Sequence, residues 1–87
     1  MKIVMKPIEM IAWFTDNGTL KPLKYRLTKD SGEKQVIKID RTVSVEEEKL
    51  AGNKMLVYRC QSTIDEQSYV YELKYELATC KWYLFKV

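Results

Sequence analysis

The chain has 87 residues, of which 46% are hydrophobic and 31% charged, with only three glycines and two prolines. This length predicts one small domain spanning residues 1–87, and the composition excludes a disordered or low-complexity chain. The sequence contains no histidine, which removes the commonest general base, the commonest metal ligand and the partner of Ser-His and Cys-His nucleophiles. We therefore expect no catalytic residue, no metal site and no cofactor.

The net charge of +3 is too small to indicate a polyanionic partner by itself. The charge is unevenly placed, because residues 1–44 carry nine basic and five acidic residues, whereas residues 45–87 carry six and seven. The basic excess belongs to the first half of the chain.

The predicted compartment is a reducing cytoplasm. Residues 1–14 are interrupted by Lys6, Pro7 and Glu9, so they form no apolar run of signal-peptide or membrane-span length. Cys60 and Cys80 stand twenty positions apart without a Cys-x-x-Cys pair, which disfavours zinc and predicts two unpaired thiols. A disulfide between them is the alternative, because both fall on the same phase of their predicted strands.

Alternating apolar and polar residues predict strands that are buried on one face along most of the chain. Asp16-Asn17-Gly18 and Asp30-Ser31-Gly32 are hairpin sequences, so the strands that they join should be antiparallel neighbours. The six predicted strands cover residues 8–14, 20–28, 35–45, 55–61, 69–77 and 80–87.

One short helical turn is predicted between the third and fourth strands. Ser44-Val45-Glu46-Glu47 has the spacing of a capping box, and Gly52 supplies a left-handed stop, which together predict helix over residues 45–51. The predicted fold is therefore all-β with one helical turn, built as a six-stranded antiparallel and strongly bent sheet or as a small closed barrel.

The first and last predicted strands are apolar on both faces. In the first strand Ile8, Met10, Ala12 and Phe14 share one phase, and Ile11 and Trp13 share the other. In the last strand Cys80, Trp82 and Leu84 share one phase, and Tyr83, Phe85 and Val87 share the other. One phase of each strand must fill the core. The second phase is either covered by other parts of the chain or exposed as an interaction surface, formed by Ile11, Trp13, Tyr83 and Phe85.

A basic stripe predicts a different partner. Lys24 and Arg26 fall on the polar phase of the second strand and Lys38 on that of the third, with Lys21 near one end. Lysines beside exposed aromatic rings suit single-stranded nucleic acid, because rings stack on bases and cations contact phosphates. An ordinary mixed-charge surface, with Asp40 opposite Lys24, is the alternative interpretation.

Segments 50–62 (LAGNKMLVYRCQS) and 71–83 (YELKYELATCKWY) resemble those of a group of short bacterial proteins that have no assigned activity. This resemblance implies a bacterial cytoplasmic protein and supplies no functional residue. The residues themselves predict a non-catalytic binding module that uses the aromatic surface, either with a protein partner or by self-association as a homodimer. Binding of single-stranded nucleic acid by the basic stripe is the alternative, and no membrane partner is expected.

Overall fold

A computed structural model describes all 87 residues as one antiparallel sheet of seven strands without a helix. This architecture confirms the predicted all-β class and the antiparallel arrangement, with one strand more than expected. The strands are β1 (Ile3–Phe14), β2 (Leu20–Thr28), β3 (Lys34–Lys38), β4 (Arg41–Leu50), β5 (Asn53–Ile64), β6 (Gln67–Glu76) and β7 (Lys81–Lys86). None of these elements is a helix of the length and hydropathy that crossing a bilayer requires.

The strand order is β3-β2-β1-β7-β6-β5-β4, so the first and last strands of the chain lie side by side at the centre of the sheet. Every other pair of neighbouring strands is consecutive in the chain and forms an antiparallel hairpin. The sheet curls into a half-barrel whose edge strands are β3 and β4. Of the two predicted shapes, the strongly bent open sheet is the one present.

The third predicted strand is two strands that belong to opposite edges of the sheet. β3 pairs with β2 and β4 pairs with β5, and the chain crosses between them at Ile39 and Asp40. The Ile39 amide donates to the Leu23 carbonyl, and the Asp40 amide donates to the Gln61 carbonyl, both at 2.9 Å. Apolar residues share one phase before and after the crossing, at Ile37, Ile39, Val43 and Val45, and only Arg41 interrupts them. The alternation therefore predicted one continuous strand.

The predicted helical turn over residues 45–51 is wrong. This segment forms most of β4, where Val45 lies opposite Tyr58 and Glu47 opposite Leu56. A capping box stabilises only one helix terminus, whereas the ladder with β5 satisfies the backbone of the whole segment. Gly52 does adopt a left-handed conformation, with φ of 85°, but it lies with Ala51 in the turn of the β4–β5 hairpin.

The three consecutive glutamates therefore lie on an edge strand. Glu47 pairs with Lys54 at 3.2 Å, and Glu48 pairs with Lys74 at 2.7 Å. Charged side chains on an edge strand discourage pairing with the strands of other molecules. The acidic run thus stabilises and protects the open edge of the half-barrel.

The core occupies the concave side of the sheet. Tyr58 and Tyr75 both pack against Trp82, with ring centroids 5.3 and 4.9 Å apart, respectively. Four of the six tyrosines are buried there, whereas Tyr69 beside the β5–β6 turn is exposed. The buried cluster consists of Leu20, Tyr25, Ile37, Ile39, Tyr58, Cys60, Tyr71, Leu73, Tyr75, Trp82 and Leu84.

A buried hydrogen-bonded group joins β3 to β5 and β6. Ser62 donates from its hydroxyl to the Lys38 carbonyl at 2.7 Å and accepts from the Tyr71 hydroxyl at 2.6 Å. Burial raises the pKa of Tyr71, so its phenol is protonated at neutral pH and acts as a donor. This group holds the end of β3 against the opposite side of the half-barrel, just before the chain crosses to β4.

Candidate functional site

Strands β1, β2 and β3 hold the basic excess of the molecule. These three strands contain six lysines and arginines and a single acid, Glu9, for a net charge of +5. The other 61 residues therefore have a net charge of −2. Five of the six cations lie on the convex side, whereas Lys6 lies opposite the core residue Leu84. The basic excess seen in the first half of the sequence is thus concentrated in one part of the sheet.

Strand register brings two of the four residues of the predicted aromatic surface beside three of the four residues of the predicted basic stripe. Ile11 lies opposite Lys24, which in turn lies opposite Lys38 on β3. Trp13 lies opposite Lys21, whose ammonium nitrogen is 5.7 Å from the centre of the indole. We call these five residues the basic face. Ile11 and Trp13 are 56% and 55% exposed, respectively, so both apolar side chains are accessible there.

A β-bulge places Lys21 and Lys24 on the same side of the sheet. Ile11 pairs with Lys24 and Ala12 pairs with Pro22, so Leu23 is an extra residue in β2. Residues three positions apart in a regular strand point to opposite faces, and one inserted residue reverses this relation. Strict alternation along the sequence could not have predicted that these two lysines share a face.

The charges of the basic face are not neutralised within the molecule. Lys21, Lys24 and Lys38 form no ion pair, and the last two lie directly opposite each other, an arrangement that costs stability. Asp40, which the mixed-charge interpretation placed opposite Lys24, lies past the end of β3 and accepts a hydrogen bond from Thr63 at 2.8 Å. An anionic partner would relieve this repulsion.

Arg26, the fourth residue of the predicted stripe, is engaged differently. Its guanidinium donates to the carboxylate of Glu9, with 2.6 Å between Nη2 and Oε2. Glu9 lies directly opposite Arg26 on β1, and Val36 lies opposite Arg26 on β3. The ion pair stands one row away from Ile11 and Lys24 on the same convex side.

Tyr83 and Phe85 lie apart from the basic face, so the predicted aromatic surface is divided into two pairs. Tyr83 is opposite Pro7 on β1, four residues from Ile11, which corresponds to about 13 Å along an extended strand. Phe85 is further along β7 in the direction away from Trp13. Both rings are half-buried, whereas the ring of Trp13 in the basic face is exposed.

The side chain of Lys74 covers the ring of Phe85. The ammonium nitrogen of Lys74 is 3.8 Å from the centre of this ring and 2.7 Å from a carboxylate oxygen of Glu48. Lys74 is only 7% exposed, and the neighbouring Met55 is also buried. The second face of β7 is therefore largely packed within the molecule, whereas the second face of β1 is exposed.

The two cysteines are free thiols in different surroundings. Cys60 is buried in the core, and Cys80 is exposed in the turn before β7. Burial raises the pKa of the Cys60 thiol to about 12, so almost none of it is thiolate in mildly alkaline buffer.

We expect one thiol per chain to react promptly with Ellman's reagent in the native protein, and the second to react only after unfolding. Only the thiolate attacks this reagent, and Cys60 lacks both charge and access. The measurement is the absorbance of released thionitrobenzoate with and without denaturant, and Cys80→Ser should remove the prompt phase. Equal reaction rates for the two native thiols would contradict the position given to Cys60.

Comparison of the chain with protein-family models, with curated proteins and with solved structures finds no match. We therefore infer a function from the geometry and charge of the basic face.

Proposed function

We propose that this protein is a non-catalytic binding module that holds a single-stranded nucleic acid on its basic face. The observation that carries this proposal is the pairing of exposed Trp13 and Ile11 with lysines that have no acidic partner. An exposed indole can stack on a base, and neighbouring lysines can contact the phosphates on either side. Single strands fit this arrangement because their bases are accessible to stacking, whereas those of a duplex are not.

Self-association through the same residues is the competing proposal. An exposed tryptophan beside an exposed isoleucine is typical of a protein interface. However, a two-fold contact centred on these side chains would bring Lys21, Lys24 and Lys38 of one copy close to the same lysines of the other. Like charges at an interface oppose association, so the charge pattern favours an anionic partner over a second copy.

The test is fluorescence anisotropy of labelled single-stranded oligonucleotides, measured over a series of salt concentrations. Lys24→Ala combined with Lys38→Ala should weaken binding, and the slope of log K against log salt should become shallower by about 1.4, or about 0.7 for each lost phosphate contact. The matched control is Lys49→Ala combined with Lys81→Ala. These lysines are exposed, lie outside the basic face and change the net charge equally.

Trp13→Ala tests the stacking half of the proposal. Loss of one stacked base costs about 1 to 3 kcal/mol of binding free energy, with little effect on the salt dependence. Absence of oligonucleotide binding at low salt would overturn the proposal. If the protein instead doubles in mass with increasing concentration and Trp13→Ala abolishes that change, the basic face is a homodimer interface.

The cytoplasmic location of the protein stays a prediction.

A further inference from the structure

A depression of about 280 Å³ lies beside the basic face, between two adjacent rows of convex side chains. One row is Glu9, Arg26 and Val36, and the other includes Ile11 and Lys24. Alternate residues on a strand are about 6.6 Å apart, which leaves room for one planar ring between the rows. The depression thus has apolar side chains at Ile11 and Val36 and charged groups at its margin.

Glu9 is the only acidic residue in β1, β2 and β3, and it lines this depression. Arg26 holds Oε2 of its carboxylate at 2.6 Å, whereas Oε1 accepts no hydrogen bond and lies 3.9 Å from the Lys34 ammonium nitrogen. A separation of 3.9 Å is too long for a hydrogen bond, so Oε1 is free to accept one and Oε2 keeps a second lone pair. The Glu9 carboxylate is therefore held in position by Arg26 and can still accept hydrogen bonds from a ligand.

We propose that this depression binds one guanine base of the nucleic acid, an inference that rests on the proposed function. The Watson–Crick edge of guanine has two adjacent donors, N1–H and the N2 amine, which match the two oxygens of a carboxylate. Its next group is the O6 acceptor, which suits the Lys24 ammonium or the free donors of Arg26. Adenine and cytosine each offer a single donor group on this edge, and uracil has one donor between two acceptors.

The place of the depression next to Trp13 supports a site for two consecutive nucleotides. Ile11 and Trp13 are alternate residues of β1, so a base in the depression and a base stacked on the indole would lie side by side. Lys24 lies opposite Ile11 and Lys21 lies opposite Trp13. The phosphate that connects the two nucleotides would pass beside these lysines. Trp13 stacks on any base, and Glu9 would supply the discrimination that stacking lacks.

The experiment uses the full chain and four labelled uridine oligomers that differ at one central position, which carries guanine, adenine, cytosine or inosine. We expect the guanine oligomer to bind about tenfold more tightly than the adenine and cytosine oligomers. The inosine oligomer should lose most of that advantage, because inosine lacks the N2 amine. Glu9→Gln should abolish the preference, and it should strengthen binding of the adenine oligomer because a negative charge beside Arg26 is removed.

Glu33→Gln is the matched control, because it makes the same charge change at an exposed acid in the β2–β3 turn. It should keep the guanine preference. Equal binding of all four oligomers would overturn the guanine site, and so would a guanine preference that survives in Glu9→Gln. Both results would leave the proposed function intact. If none of the oligomers binds, the proposed function itself fails.

Discussion

Leu73→Ala should lower the free energy of unfolding by about 3 kcal/mol, within the range of 2 to 5 kcal/mol seen when a buried leucine is truncated. Leu73 is fully buried and lies between Tyr58 on β5 and Leu84 on β7. Removing its side chain leaves a cavity at the centre of the concave face, where the surrounding rings cannot close in without breaking strand pairing. A domain of this size has a total stability of roughly 4 to 13 kcal/mol, so the variant keeps only part of it.

The measurement is equilibrium unfolding in urea, where the midpoint should fall without a change in slope. Leu50→Ala is the control, because Leu50 is 64% exposed at the end of β4 and its truncation should change stability by less than about 0.5 kcal/mol. A loss below about 1 kcal/mol for Leu73→Ala would contradict the packing described for this residue.

Ser62→Ala should lower the free energy of unfolding by about 2 kcal/mol. The hydroxyl of Ser62 is completely buried and connects the Lys38 carbonyl to the Tyr71 hydroxyl, so its removal takes one hydrogen bond from each of these two groups. A buried polar group that loses its hydrogen bond costs about 1 to 3 kcal/mol, offset here by relaxation of the two groups toward each other. The substitution also removes a connection between β3 and the opposite side of the half-barrel.

Hydrogen exchange separates this local effect from general destabilisation. The amides of Ile39 and Asp40, which bond to Leu23 and Gln61 at the crossing, should lose more protection in Ser62→Ala than amides of the β5–β6 pair. Ser44→Ala is the control, since Ser44 is exposed on β4 and makes no side-chain hydrogen bond. Uniform loss of protection in Ser62→Ala would mean that this serine does not fasten β3 specifically.

Most strands could be predicted from the sequence because one-sided burial has a period of two. β2 has the predicted limits, and β7 begins one residue later and ends one residue earlier than predicted. The same period explains the error at residues 35–45, because the alternation resumes after Arg41 although the chain changes partner at Ile39 and Asp40. Periodicity shows which side a residue faces, but it does not show which strand is its neighbour.

A local signal failed where the next strand of the chain competed with it. The capping box at Ser44 predicted a helix, but the segment after the Ala51-Gly52 turn formed β5 and offered a full ladder of hydrogen bonds. The left-handed conformation of Gly52 was predicted correctly, because glycine adopts a positive φ without steric cost in a helix stop and in a hairpin turn alike.

For the candidate site, the residue types, the basic excess of the first half and the apolar second face of the first strand follow from the sequence alone. How these features combine depends on strand pairing. The β-bulge at Leu23 brought Lys21 and Lys24 to one face, the register of β1 with β7 kept Tyr83 and Phe85 away from Trp13, and the crossing removed Asp40 from Lys24. The physical reason is that charge and hydrophobicity belong to single residues, whereas register, bulges and strand order come from pairing between segments distant along the chain.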